Sequence, residues 1–241
     1  MGKEDSSVNK KKADYLVITP HPDDAEFGTA GTVAKLTQKG KIVVYIVCTN
    51  GDKGTEDIHL KPEKLAVIRE KEQLEAAEVL GVREVVFLRN PDQSLEDTPE
   101  FRKEIVEQIR IFRPEVVITA DPYRRYIWHR DHRITGRVVL DALFPYSRDL
   151  WAYPDLIEYG LKPHKVKEVW LWAPEDNDIN FRSDISQTFQ QKLKALRCHK
   201  SQLKKSFASE MEEWLCRRAK DMAEGENFTL AEGFHRVEIW W

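Results

Sequence analysis

The stretch Tyr15-Leu16-Val17-Ile18-Thr19-Pro20-His21-Pro22-Asp23-Asp24 decides the fold of this chain. Its first four residues form an apolar run, which is typical of a buried strand. The residues that follow place one imidazole and two carboxylates directly after that strand. Because ionisable side chains are costly to bury in an apolar core, we interpret this loop as a candidate ligand site rather than as core.

Strands and helices alternate through the first 120 residues. Apolar and β-branched runs predict four strands, at residues 15–18, 41–48, 84–88 and 115–120. Helical patterns separate them, at residues 27–39, 62–80 and 98–112. This alternation indicates parallel strands with right-handed crossovers and helices on both faces. The predicted fold class is therefore α/β: a Rossmann-like three-layer sandwich with a mostly parallel sheet.

The remainder of the chain has a weaker pattern. It predicts a strand at residues 169–172, a helix with Ser186 as its N-cap, a helix at 210–220 and a strand at 234–240. Residues 1–12 are polar and rich in lysine, which predicts a flexible tail. We expect residues 13–241 to form a single domain, since no linker or repeat divides them.

Composition excludes several classes of function. The 241 residues carry a net charge of −3, which argues against nucleic acid as the main partner. No apolar run approaches the roughly 18 residues of a membrane span, and no signal peptide is recognisable. The three cysteines, Cys48, Cys198 and Cys216, show no metal-binding spacing. We interpret them as free thiols in a reducing compartment and expect a cytoplasmic protein without membrane partners.

Two clusters of potential metal ligands follow predicted strands. Ligands of parallel sheets bind outside the carboxyl ends of the strands, where the loops at residues 21–24, 49–54, 90–92 and 121–132 should converge. The first cluster contains His21 and Asp24, and the second contains His129 and His132. Two histidines, one carboxylate and a water form a common catalytic zinc site. Each cluster taken alone also fits a surface loop or a helix cap, so spacing alone leaves the metal site open.

The doubled carboxylate suggests a division of roles. If Asp24 binds a metal ion, Asp23 remains free beside it and can act as general base on metal-bound water. His129 could then protonate a leaving amine or stabilise an oxyanion. Asp131 could orient a metal-binding histidine. These roles fit the hydrolysis of an amide or an ester.

Other functions fit the sequence less well. Gly28 and Gly31 open a helix as glycines do in dinucleotide-binding folds, but the GxGxxG pattern is absent and the two aspartates would repel a pyrophosphate. A serine hydrolase is disfavoured because no G-x-S-x-G occurs. A sugar- or nucleotide-binding protein with a metal-stabilised scaffold remains the alternative from another class.

The same motifs, with several further stretches, resemble a known family. The resemblance lies in the His-Pro-Asp-Asp loop and in residues 28–36, 68–81, 88–95, 129–132, 192–202 and 231–234. In this order they are similar to the PIG-L/LmbE-like family of metal-dependent N-deacetylases. One departure is Ala25, where many members have Glu; here Glu26 follows one position later, which leaves the role of that Glu open.

The resemblance implies a role for each of seven residues. It implies one zinc ion per subunit with three ligands, His21, Asp24 and His132. It further implies that Asp23 is the general base and that His129 stabilises the oxyanion or protonates the amine. Arg69 and Asp92 would bind the substrate. For Arg69 the alternative is a solvated ion pair with Glu70 or Glu72.

The resemblance also implies the reaction. The substrate would be a small N-acetylated amino sugar, and the products would be acetate and the free amine. The HPDDAEFG variant looks most like the archaeal branch of the family, which acts on N,N'-diacetylchitobiose and whose members are homo-oligomers; we therefore expect a trimer or hexamer. Another N-acetylglucosamine conjugate is the alternative substrate. Trp128 and Trp172 suit stacking on a sugar, although tryptophans equally serve in a core.

Overall fold

A computed structural model describes residues 12–203 and 208–240 of the chain. The predicted tail therefore lies outside the described residues, apart from Lys12. The strands are β1 Tyr15–Thr19, β2 Val43–Thr49, β3 Glu84–Asn90, β4 Val116–Ala120, β5 Glu168–Trp172, β6 Phe181–Asp184 and β7 Ala231–Glu238. The helices are α1 Asp24–Gln38, α2 Pro62–Leu80, α3 Pro99–Phe112, α4 Arg130–Asp141, α5 Pro154–Glu158, α6 Phe189–Leu196 and α7 Ala208–Met222.

The seven strands form one mostly parallel sheet. Their order is β3-β2-β1-β4-β5-β7-β6, and β1 to β5 are parallel. β7 runs antiparallel to both β5 and β6. The α/β prediction is therefore confirmed. Because β1 lies between β2 and β4, the order of strands reverses there, and the loops after β1 and β4 flank the crevice in which such sheets bind ligands.

The apolar cores lie on both faces of the sheet. Along β1, Leu16 and Ile18 pack into the cluster on the side of α3 and α4, whereas Val17 packs into the cluster with α1 and α2. This alternation follows from the two-residue period of a strand. A third, smaller cluster joins α6 to α7. Burial on both faces explains why β1, β2 and β4 are continuous apolar runs in the sequence.

Helix α4 packs unusually close to the sheet. A Cβ added to Gly136 would collide with the carbonyl oxygen of Ala120 at the end of β4. Glycine is required for this approach, which brings the first turn of α4 and His132 to the carboxyl edge. Among the described helices, none combines the length and apolar character that crossing a membrane requires.

The start of α6 and the strand β6 differ from the sequence-based expectation. Helix α6 begins at Phe189 with Thr188 as its N-cap, so the prediction of Ser186 as N-cap was wrong. The Ser186 hydroxyl and amide instead donate to the carboxylate of Asp184, a local turn that competes with helix initiation. Strand β6 was not predicted, because its four residues include three polar ones and have no period to detect.

Candidate active site

The turn from β1 into α1 separates the two adjacent aspartates. Asp23 is the residue before the helix and adopts a left-handed conformation, with φ 90° and ψ −29°. Asp24 is the first residue of α1, where a carboxylate interacts favourably with the helix dipole. The two residues therefore have different backbone conformations, and their side chains have different partners.

The side chains of His21, Asp24 and His132 meet at the carboxyl edge of the sheet. One carboxylate oxygen of Asp24, Oδ2, lies 2.8 Å from Nδ1 of His21 and 3.1 Å from Nε2 of His132. The backbone N–H of His21 donates to the same oxygen over 3.0 Å. The two histidines are 7% and 8% exposed, so both are held in place by their surroundings. The structure thus brings together the three predicted ligands across 111 residues of sequence.

Two further carboxylates surround His21. Its Nε2 lies 3.1 Å from Oδ1 of Asp92 and 3.2 Å from Oδ2 of Asp131. The latter oxygen also accepts the N–H of Gln93 over 2.7 Å. Asp131 therefore orients the imidazole of His21, as expected from the sequence.

The charges and unpartnered atoms of this cluster suit a metal cation. Four carboxylates, those of Asp23, Asp24, Asp92 and Asp131, gather there. Within the described ranges, two groups offer three ligand atoms within 4.8 Å of one another, His21/His129/His132 and His21/Asp92/Asp131. Nδ1 of His132 and Oδ1 of Asp131 are buried without a hydrogen-bond partner among the described residues. Imidazoles and carboxylates in this number are a donor set suited to a divalent ion.

Ionisation in the site follows from burial and charge pairing. Burial lowers the pKa of His21, but the carboxylates of Asp24, Asp131 and Asp92 outweigh it and raise the pKa well above its usual range. Burial would raise the pKa of Asp24, yet His132 and His21 lower it below its usual range. A divalent cation bound here would displace the proton that His21 holds.

The pKa of Asp23 is shifted in the opposite direction to that of Asp24. Burial raises the pKa of Asp23 to about 6, although the guanidinium of Arg69 opposes this shift. The Oδ2 of Asp23 lies 3.2 Å from Nη2 of Arg69 and is not paired with a histidine. The two adjacent aspartates therefore differ in both partners and proton affinity, which is the separation that a ligand and a base require.

His129 caps helix α4 and lies exposed at the mouth of the site. Its Nδ1 accepts the N–H of Asp131 over 3.2 Å, so the neutral ring carries its proton on Nε2. Burial and the positive charges of His21 and His132 lower the pKa of His129. The ring stacks edge-on against His21, with centroids 4.7 Å apart. An exposed N–H donor beside the ligand cluster is suited to a developing oxyanion or a leaving amine.

Arg69 and Asp92, the predicted substrate-binding residues, have internal partners. Arg69 is 4% exposed and donates to the carbonyl oxygens of Gly51, over 2.9 Å, and Pro22, over 2.5 Å. Its ion pair is with Asp23, not with Glu70 or Glu72. Asp92 is 5% exposed and faces His21. Both residues line the site, and their contact with substrate stays a prediction.

A cavity of about 670 Å³ opens beside Asp24 and His132. Trp128 and Trp172 form its wall near the ligands, and their rings pack edge-on against His132 with centroids 4.5 and 5.5 Å away. The indole N–H of Trp128 donates to the carbonyl of Asp121 over 3.0 Å. The tryptophans therefore hold His132 in position, and they also present aromatic surface to the cavity.

Three buried polar residues behind Asp23 were not predicted as part of the site. Gln73 accepts the N–H of Asp23 through Oε1 over 3.0 Å and donates to Glu26 over 2.9 Å. The other carboxylate oxygen of Glu26 lies 3.2 Å from Nε2 of His199. The only sequence signals were the displaced Glu26 and the 192–202 stretch that contains His199.

The fold and site define a doubly wound α/β protein with a cluster of His and Asp side chains, suited to a metal ion, at the carboxyl edge of its sheet. The chain belongs to the PIG-L family, whose description is GlcNAc-PI de-N-acetylase and whose sequence model matches residues 16–143. The resemblance of its motifs to this family is thereby confirmed.

Named relatives cover most of the chain. A diacetylchitobiose deacetylase of Thermococcus kodakarensis is 38% identical over 205 residues, which is 84% of this chain and 76% of that protein. A probable N-acetyl-α-D-glucosaminyl L-malate deacetylase 2 of Bacillus anthracis is 29% identical over 86% of this chain and 93% of that protein. The solved N,N'-diacetylchitobiose deacetylase of Pyrococcus horikoshii, in complex with an inhibitor, superimposes with a TM-score of 0.89 and 32% identity, covering 97% of this chain and 86% of that one.

Proposed function

We propose that this protein is a zinc-dependent hydrolase that removes the acetyl group from N-acetylglucosamine-containing sugars. N,N'-diacetylchitobiose is the first candidate substrate, and acetate and the free amino sugar are the products. The observation that carries the proposal is the convergence of His21, Asp24 and His132 beside Asp23 and an exposed His129. The names of the Thermococcus and Pyrococcus relatives support the choice of sugar.

In this proposal one zinc ion per subunit is held by His21, Asp24 and His132. When bound, the ion would act as a Lewis acid on the acetyl carbonyl and would lower the pKa of a bound water to ~7. Asp23 takes the proton of the attacking water, since burial raises its pKa to about 6 and so places it near neutral pH. Neutral His129 would donate a hydrogen bond through Nε2 to the developing oxyanion. The proton that Asp23 took from the water would then pass to the leaving amine, which regenerates the Asp23 carboxylate.

Substrate orientation falls to the residues around this centre. Arg69 and Asp92 would bind sugar hydroxyls from the side of the β2 and β3 loops, as the family resemblance implies. The aromatic wall made by Trp128 and Trp172 would exclude water from the side of the cavity. Binding energy from the sugar would thereby hold the acetyl carbonyl against His129.

Acetate release from defined sugars tests this proposal. We expect the purified protein with added zinc to deacetylate N,N'-diacetylchitobiose with a higher kcat/KM than N-acetylglucosaminyl malate or N-acetylglucosaminyl inositol. Chelation should abolish turnover, and zinc should restore it, because both the nucleophile and carbonyl activation depend on the ion. A protein that binds these sugars calorimetrically but releases no acetate from any of them would instead be the sugar-binding scaffold.

We further propose that the protein is a cytoplasmic homo-oligomer, a trimer or a hexamer. Exposed apolar side chains on α2 and the loop before it support association: Ile58, Val67 and Leu74 are 92%, 70% and 51% exposed. The cysteines of the described residues are free thiols, which suits a reducing compartment. Sedimentation equilibrium at micromolar concentration should give three or six times the mass of one chain, and a monomer would contradict this part of the proposal.

A further inference from the structure

A short turn after α6, residues 199–202, contacts three elements that surround the β1–α1 turn. His199 meets Glu26 of α1, with 3.2 Å between Nε2 and Oε2. The N–H and hydroxyl of Ser201 donate to the two carboxylate oxygens of Glu72 on α2, over 2.8 and 2.6 Å. Gln202 donates to the carbonyl of Gly54 in the loop after β2, over 3.0 Å. This 199–202 turn therefore ties α1, α2 and a site loop together.

One of these contacts continues as a chain of hydrogen bonds to Asp23. Glu26 accepts from His199 through Oε2 and from Nε2 of Gln73 through Oε1. Gln73 in turn accepts the N–H of Asp23 through its own Oε1. The side chains of His199, Glu26 and Gln73 have no solvent exposure. If one of these side chains were removed, bulk solvent would therefore not replace its hydrogen bonds.

The carboxylate of Glu26 determines which way the Gln73 amide faces. The NH₂ group of Gln73 donates to Oε1 of Glu26, because a carboxylate oxygen accepts this hydrogen bond. The Gln73 oxygen is thereby left for the N–H of Asp23. Burial lowers the pKa of His199, but its bond to Glu26 and the nearby carboxylates raise it above its usual range, which favours His199 as the donor of this bond.

The bond from Gln73 acts on a strained residue. Asp23, a non-glycine residue with φ 90°, is held in an unfavourable backbone conformation that persists only where its surroundings fix it. Arg69 provides the second constraint, through the carbonyl of Pro22 and the carboxylate of Asp23. Arg69 and Gln73 lie four residues apart on one face of α2, so the helix holds the turn at two points.

We propose that His199, Glu26 and Gln73 are positioning residues that fix the backbone of Asp23 and so aim its carboxylate. The effect on catalysis rests on the proposed function, in which Asp23 is the general base. The chain of contacts gives the C-terminal 199–202 turn a role in a site whose chemistry lies wholly within residues 21–132. It also assigns a role to Glu26, which lies one position later than the Glu that many family members have at the position of Ala25.

Three histidine variants of the zinc-loaded enzyme test the proposal. We expect His199→Leu to lower kcat for diacetylchitobiose about 10–100-fold, as is typical for partners one step removed from a metal site, with KM and bound zinc unchanged. His199→Gln places an amide donor near the position of Nε2 and should restore most of kcat. The matched control is His164→Leu, which removes a histidine bond to the carbonyl of Pro114 at the opposite edge of the sheet.

Amide hydrogen exchange of the segment at residues 19–27 provides a readout that does not need turnover. We expect faster exchange there in His199→Leu and in Gln73→Leu, and unchanged exchange in His164→Leu. Should His199→Leu fail to fold, Gln73→Leu carries the same test. Wild-type kcat and exchange in both site variants, or an equal fall of kcat in His164→Leu, would overturn the proposal. If the wild type releases no acetate, the proposed function fails, while the exchange comparison still decides the positioning.

Discussion

Asp23→Asn is expected to lower kcat for deacetylation by about 10²- to 10⁴-fold, the range typical of general acid–base catalysis. Asparagine matches the shape of aspartate and can still face Arg69, but it cannot take a proton from the attacking water. Zinc content should be unchanged, because the Asp23 carboxylate is paired with Arg69 and not with a histidine. Steady-state kinetics and metal analysis of the same preparation measure both quantities.

The control for this variant is a second aspartate paired with an arginine. Asp97 forms such a pair with Arg102 at the surface, and Asp97→Asn should leave kcat within about twofold, as expected of an exposed ion pair. Full activity of Asp23→Asn would rule out its assignment as the base. Loss of zinc from that variant would instead make Asp23 a ligand or a structural support of the metal centre.

Asp24→Ala is expected to remove zinc and activity together. Its Oδ2 contacts both His21 and His132, so its loss should reduce metal affinity by more than the roughly 10–100-fold typical of residues outside the ligand set. Competition with a fluorescent chelator measures the affinity. Added zinc should raise the melting temperature of the wild type but not that of this variant, since binding to the folded state stabilises it only where the ion binds.

His129→Ala tests whether the third metal ligand beside His21 and His132 is Asp24 or His129. His129 lies with His21 and His132 in one group of clustered ligand atoms, yet the family resemblance assigns it to the oxyanion and the amine. We expect His129→Ala to retain one zinc per subunit with wild-type affinity while kcat falls. A variant without zinc would show that His129 is a ligand and would reassign Asp24.

The parallel half of the fold was predictable because its strands are buried on both faces and their apolar runs are therefore continuous. Strands β1 to β4 occur where those runs predicted them. The antiparallel pairing of β7 depends on contacts between residues far apart in sequence, from Glu168 with Glu238 in β5 to Asp184 with Ala231 in β6, for which one chain offers no local signal. The short β6 was missed because three of its four residues are polar and have no period to detect.

Within the site, the sequence indicated the residue types and the edge of the sheet but not the internal partners. His21 and His132 were expected to converge because both follow parallel strands, and the structure places them together. The internal contacts of Arg69, with Gly51, Pro22 and Asp23, depend on how α2 packs against two loops. The bonds of Gln73 and His199 likewise arise only from tertiary packing, since neither residue stands out by spacing.

The position of β1 in the sheet has a consequence for biosynthesis. β1 emerges from the ribosome first among the strands, but its neighbour on one side, β4, begins 101 residues later at Val116. A nascent chain that ends before His132 thus contains His21 and Asp24 without the third proposed ligand. Closing so long a loop must precede assembly of the centre. Metal loading would then require that α4 has been synthesised and that β4 has paired with β1.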